Sequence, residues 1–284
     1  MTGSRPGSPK ARTLGAELRK AREDAGIGVR ELARRLNRGH AWVTRTEAGT
    51  RAVTPEDVTG VVVALGVSGQ ERDRLVGLAR ESDGPDWIHT GIPGVHQELV
   101  TLIEYERTAS AISEVAPLLL PGLLQTPDYA RAVMAGLPAG EVETRVAMRA
   151  SRRDMLISRD APEFEAIILE TALTTPILSG EPAVDQYRHL LKLAELRNVT
   201  IRVVRTTPPR WTPAHEGRFI IFEFPKASPI VHLEHIKSSA FLTSPDVVEA
   251  YRTTLGTLRE MAITPAGSAE FIASCIERAE EDAR

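Results

Sequence analysis

A chain of 284 residues, 42% of them hydrophobic, is ordinary globular protein and long enough for two separately cored domains. One cysteine, Cys275, excludes an internal disulfide and fits a reducing cytoplasm, and no apolar run approaches a membrane span. The formal net charge of −3 conceals a split: residues 1–51 carry 12 Lys or Arg against 5 Asp or Glu, and the remainder carries 23 against 33. A cationic head on an acidic body suits phosphate neutralisation by one part and sensing or partner binding by the other.

The opening TGSRPGSPKART lacks the apolar centre of a secretory signal, and residues 1–12 read as a disordered basic arm. Such an arm either tracks phosphate or is an uninvolved tail. Helical spacing then begins at Leu14, with Leu14, Leu18 and Ala21 on one side of a helix running to Ala25. Val29 to Leu36 forms a second helix, Asn37-Arg38-Gly39 turns the chain, and Ala41 to Ala48 forms a third. Ala33 is small where these last two cross, and Val43 reaches back to their shared core. That leaves His40, Ala41, Thr44 and Arg45 on the outward, N-terminal half of the third helix, where base edges of a DNA major groove would be met. Arg30, Arg38, Gly39, Trp42 and Arg51 complete the expected DNA-contacting set. The plainer alternative makes Arg19, Lys20, Arg22, Arg30, Arg34 and Arg35 a solvated helix face. Pro55 to Leu65 and Gln70 to Ala79 add two more helices.

The run Arg45-Thr46-Glu47-Ala48-Gly49 resembles the Arg-x-Glu-x-Gly signature closing the recognition helix of the Xre or lambda-repressor-like helix-turn-helix family. The resemblance implies a five-helix DNA-binding unit over residues 13–80. It departs at Val29, where the family often has a Gln that touches DNA, and at Thr46, where a larger aliphatic residue is usual and whose polarity implies weaker packing.

Residues 81–94, ESDGPDWIHTGIPG, break the helical periodicity and read as a linker, with Trp87 and Ile88 apolar enough to dock on the second domain. A helix from Val95 to about Glu114 comes next, then helices over Thr126 to Ala135 and Gly140 to Ser158. Strands are expected at Glu163 to Leu169, Val199 to Arg205, Arg218 to Phe224 and Ile230 to Glu234, each rich in Ile, Val or Phe. Helices over Pro182 to Arg197, Pro245 to Met261 and Ala266 to Glu281 complete an α+β or α/β domain over residues 95–284, with a small sheet of about four strands behind an all-α head.

The segment from Leu118 to Ala130, LLLPGLLQTPDYA, is the most distinctive of this domain. Pro121-Gly122 turns the chain, and Thr126 caps a helix that Pro127 and Asp128 begin. Its leucines read most simply as core; the alternative places Leu124, Gln125 and Tyr129, with Arg149 and Arg152, on a pocket or partner groove. The segment resembles the LVPGLLQTPDYAR signature in the C-terminal domain of actinobacterial Xre-type regulators of the WhiJ kind, described as toxin-antitoxin-like. Leu169-Glu170-Thr171-Ala172-Leu173 and Val199-Thr200-Ile201-Arg202-Val203 fall in family order, whereas Arg153, Leu169 and Thr174-Thr175 depart from it. The resemblance implies a further partner, a small acidic protein encoded nearby.

His215-Glu216 and His232-Leu233-Glu234-His235 invite a metal or acid-base reading, yet their spacing matches no strong zinc pattern and no cysteine joins them. Gly-rich phosphate loops and a Gly-x-Ser-x-Gly elbow are absent. Glu104 and Glu170 lie on apolar segments and need a cationic partner such as Arg149 or Arg152. The expectation is a cytoplasmic transcriptional regulator without cofactor, metal or catalysis. It would act as a homodimer on a palindromic duplex site, its C-terminal domain sensing a protein or ligand. The competing reading is an antitoxin-like interaction protein that binds the small acidic partner and regulates its own operon.

Overall fold

The computed structural model describes residues 6–80, 86–90, 97–175, 177–225, 227–235 and 238–282. They divide into two compact units, Met1–Thr108 with Lys226–Val248, and Ala109–Pro225 with Glu249–Arg284.

The first unit begins with α1, Pro9–Asp24, because Ser8 accepts a hydrogen bond from the Ala11 N–H and Pro9 occupies the first turn. Such a cap stabilises a helix by about 1 kcal/mol. The expected basic arm over residues 1–12 is thereby corrected: from Pro9 onward the chain is helix, and Lys10 and Arg12 are buried. Ser-Pro is a helix-start signal as well as a loop signal, and the apolar spacing from Leu14 onward decides between them; residues 1–5 lie outside those described. Then come α2 (Val29–Arg35), α3 (His40–Glu47), α4 (Pro55–Leu65) and α5 (Gly69–Arg80). A reciprocal capping box of Thr54 and Asp57 starts α4, and Gly66, at φ 76°, stops it. Leu14, Leu18, Leu32, Val43, Val58 and Leu75 form the centre of one core, each almost wholly buried.

The expected linker contains β1 (Asp86–Thr90), which pairs antiparallel with β7 (Ser238–Leu242); β7 pairs antiparallel with β6 (Ile230–His235). The docking expected of Trp87 and Ile88 rests on side chains outside those described. The next helix, α6 (Gln97–Thr108), ends six residues short of the expected Glu114. It packs on α1 through a Thr101 hydroxyl donating to the Thr13 hydroxyl at 2.9 Å and Arg19 donating to Glu104 at 2.9 Å.

The second unit holds β2 (Ala111–Ala116), β3 (Glu163–Leu169), β4 (Val199–Val204) and β5 (Phe219–Glu223) in the order β5-β2-β3-β4. Strands β2, β3 and β4 run parallel, while β5 is antiparallel to β2. Parallel neighbours need crossovers. The first holds a 3-10 turn at Gly122–Leu124, α7 (Pro127–Val133) and α8 (Ala139–Arg153); the second holds α9 (Glu170–Thr174) and α10 (Glu181–Ala194). Helices α11 (Pro245–Met261) and α12 (Pro265–Asp282) close the chain. After residue 95 there are thus six strands among the described residues instead of about four. The additions are β2 and β7. Ala111–Ala116 has helix-compatible composition, and only its position between β3 and β5 makes it a strand.

Candidate nucleic-acid interface

Recognition by a helix requires one rigidly held face and one exposed face. In α3 the held face is Val43, Thr46 and Glu47, all buried. Arg22 of α1 donates to both Glu47 carboxylate oxygens, at 2.6 and 3.0 Å, and Arg19 stands 3.7 Å from the same group. Arg22 is raised above its ordinary range, chiefly by the bond to Glu47. Breaking such a buried pair by removing one partner costs roughly 3–5 kcal/mol, because it strands the other charge.

Two glycines let α1 approach the end of α3. A Cβ at Gly15 would lie 2.6 Å from the Thr46 and Glu47 carbonyl oxygens, and one at Gly49 would lie 2.6 Å from the Arg12 Cα. Gly49 also sits at φ 66°, in the left-handed region. The Arg-x-Glu-x-Gly run therefore has a physical meaning: Glu47 anchors the helix and Gly49 admits the neighbouring backbone. Asn37, at φ 50°, makes the left-handed turn between α2 and α3. Thr46 is not weakly packed; its hydroxyl donates to the Trp42 carbonyl at 2.8 Å and accepts from Arg51 at 3.2 Å.

The other face of α3 presents His40, Ala41 and Arg45 exposed, with Thr44 half-buried beside them. The Arg45 Nε donates to the Ala41 carbonyl at 3.1 Å, and the Thr44 hydroxyl reaches the His40 and Ala41 carbonyls at 3.3 Å. Gly39 is the exposed N-cap of α3 and supplies no side-chain cap. Trp42 is half-buried against the head's core, with the Arg51 guanidinium 4.5 Å and the Arg38 guanidinium 5.6 Å from its ring. On α2, Arg30 is exposed, whereas Arg34 and Arg35 both donate to Glu31 and hold its carboxyl at about 2. Of the basic residues on that face, these two are partly neutralised in place.

The second unit treats its signature differently from a surface groove. Leu120, Leu123, Leu124, Gln125 and Tyr129 are buried, while Leu118 is 67% and Leu119 37% exposed. Leu118 and Leu119 thus depart from the expected core. The Tyr129 hydroxyl accepts from the Leu120 N–H at 3.1 Å, and the Gln125 amide donates to the Leu120 carbonyl at 2.8 Å. Gln186 of α10 accepts from the Thr126 N–H and donates to the Leu124 carbonyl, a clamp with no sequence signature of its own. Leu124 is wholly buried and Gln125 and Tyr129 nearly so, which leaves little of these side chains open to a partner, against the expectation that they edge a pocket or groove. Arg149 and Arg152 are half-buried, and Arg149 donates to the Met134 sulfur.

Carboxylates on apolar segments find partners other than Arg149 or Arg152. Glu104 pairs with Arg19 and Arg107, and Glu170 with Arg205. Glu170 also accepts from the Thr206 and Thr207 N–H groups, bonds that help hold its carboxyl below the usual range against the opposing effect of burial. His232 is buried and stacks on Phe241 at 4.6 Å, and His215 closes a one-turn cap with Thr212. The His235 side chain lies outside those described. No group of three or more His, Cys, Asp or Glu among the described residues could hold a metal ion, and none of the described helices is long and apolar enough to cross a membrane.

Comparison with known proteins places a helix-turn-helix domain at residues 13–75 and a domain of unknown function, DUF5753, at residues 99–274. No curated protein matches the chain. Among solved structures, a phospholipase D family member, Nuc from Salmonella typhimurium, is 8% identical, with 63% of this chain and 97% of that one covered at a TM-score of 0.34. TrmBL2, an archaeal chromatin protein with a novel mode of DNA binding, is 11% identical, with 75% and 72% covered at a TM-score of 0.33. Likenesses this slight carry no weight for function. The family models agree with the geometry of α2 and α3: the chain carries a helix-turn-helix domain, and by the match over most of its remaining length it belongs to the DUF5753 family.

Proposed function

We propose that the protein is a sequence-specific DNA-binding transcriptional regulator. The observation that supports this best is the two-sided character of α3: Glu47, Thr46 and Val43 lock one face into the head, and His40, Ala41, Thr44 and Arg45 stand along the other. In a major groove, the first turn of α3 meets base edges, while Arg30, Arg38, Arg51 and the exposed arginine of α3 meet phosphates. One head of this size reads too few base pairs to select a site in a genome. The protein therefore acts as a homodimer on a palindromic site, with the DUF5753 region supplying dimerisation and response to a partner or ligand. It carries out no catalytic step.

Selection of bound duplexes from a random pool identifies the site and its symmetry. On that site, His40→Ala and Thr44→Ala each lose about 1–3 kcal/mol of discrimination if a base contact goes, whereas Arg45→Ala weakens all duplexes alike. Equal losses on selected and random DNA for all three variants would overturn the assignment of α3, and an asymmetric site occupied by one protomer would overturn the dimer.

A further inference from the structure

We propose that Trp42 is a positioning residue which gathers Arg38 and Arg51 into a single phosphate-binding clamp at the recognition helix. The inference rests on the DNA-binding reading above and goes beyond it, because it removes Trp42 from the contact surface and gives it a different task.

Arg38 lies just before α3 and Arg51 just after it, so the helix separates them in sequence. The Trp42 ring draws both guanidinium groups to within 5.6 Å of its centre. Two cations held near one another repel, and an aromatic face offsets part of that repulsion through its quadrupole. Arg51 is held further by its bonds to the Thr46 hydroxyl at 3.2 Å and to Asp57 at 3.1 Å. Asp57 is itself fixed in the capping box that starts α4, and Thr46 is fixed by its bond to the Trp42 carbonyl. Arg51 is therefore oriented before any ligand arrives, and its side chain remains 25% exposed. A guanidinium has more N–H donors than those two bonds use, so an outside oxygen can be bound without dismantling them.

Trp42 cannot itself serve as a base reader in this arrangement. Its ring packs against the apolar core of the head, and swinging it out would expose that surface. Two arginines at one aromatic ring, of which Arg51 is paired with the Asp57 carboxylate, form a positive site whose matching ligand is the phosphate backbone of a duplex. Such contacts set affinity and register and leave sequence preference unchanged.

The test measures the salt dependence of duplex binding by the full chain carrying Trp42→Leu, which retains apolar bulk but has no ring face, and Trp42→Phe, which retains the face. Thermal melting accompanies each variant. Trp42→Leu is expected to lower the magnitude of the log K against log salt slope by about 1 to 2, with losses equal on selected and random DNA. Trp42→Phe restores most of the wild-type slope. In an Arg38→Gln/Arg51→Gln background, Trp42→Leu is expected to cost nothing further. A wild-type slope in folded Trp42→Leu overturns the inference and leaves the DNA-binding reading standing. A loss that persists undiminished in the double-glutamine background overturns it too, since Trp42 would then touch DNA directly. Wild-type protein without salt-dependent duplex binding overturns both.

Discussion

Tyr129 illustrates how one hydroxyl can decide whether a residue faces a partner or its own chain. Its burial and its bond from the Leu120 N–H make it a brace for the turn at Pro121-Gly122. Tyr129→Phe should destabilise the second unit by roughly 1–3 kcal/mol, since the Leu120 N–H is left buried without its acceptor. Tyr129→Ala should cost roughly 3–5 kcal/mol by opening a cavity as well. Urea unfolding measures both, and a Phe variant with an unchanged midpoint would show that the hydroxyl is dispensable. His189 of α10 offers a second residue-scale test. Burial, reinforced by the charges of Arg153 and Lys192, lowers it from the usual 6.5 to about 4. A depressed histidine is neutral when folded, so between those values the unfolded chain binds more protons and stability falls with acidification. The contribution is complete above pH 6.5 and is lost as pH drops toward 4. His189→Leu should therefore show a shallower fall in melting temperature over that window than the wild type; parallel curves would sink the attribution.

Among the elements, the junction of α1 with the end of α3 depends on what is missing from two glycines. Gly49 and Gly66 both adopt left-handed conformations, at φ 66° and 76°, but only Gly49 has backbone in the space a Cβ would fill. Alanine at Gly66 should cost about 1–2 kcal/mol, the conformational penalty alone. Gly49→Ala should cost several kcal/mol more, because the Arg12 backbone at 2.6 Å must move and take the Glu47 anchor with it. Equal losses at the two positions, measured by thermal unfolding, would show that the close approach is cheap to relax. Strand β2 makes the complementary point about elements. Its Ala, Ser and Glu tolerate a helix, and the buried Glu114 is paired with Arg218 at 2.8 Å, more than a hundred residues on. Strand geometry was imposed by its neighbours.

At the scale of the whole molecule, family and packing boundaries do not coincide. The DUF5753 match starts at residue 99, inside α6, yet α6 belongs to the compact unit that contains the helix-turn-helix. Glu104 of α6 bonds Arg19, and Arg19 stands beside Glu47 at the end of the recognition helix. A displacement of α6 would therefore be felt at α3 through one shared cation. Glu104→Ala should lower hydrogen-exchange protection in α1 and α3 as well as in α6, with a cost of about 1–3 kcal/mol, since Arg19 loses one carboxylate but keeps Glu47. Loss of protection confined to α6 would show that the network ends there.

The helix-turn-helix was legible in the chain because its determinants are local: apolar residues at helical spacing, a small Ala33 at the crossing, a turn at Asn37 to Gly39, and an outward row of His40, Ala41, Thr44 and Arg45. The bounds of α4 and of β3 are set in the sequence for the same reason, the first by a Thr-Pro start and Gly stop, the second by Phe164 and the apolar run from Ala166 to Leu169, suited to a parallel strand buried on both sides. Tertiary structure decided what depends on partners distant in the chain. It selected Arg19 and Arg205 as the partners of Glu104 and Glu170, made β2 a strand, turned Tyr129 and Gln125 inward against their own backbone, and brought Arg38 and Arg51 to one tryptophan ring. A carboxylate or a ring announces in sequence that it needs a partner; which partner it meets is fixed only when packing brings two remote segments within the few ångströms over which hydrogen bonds and ion pairs act.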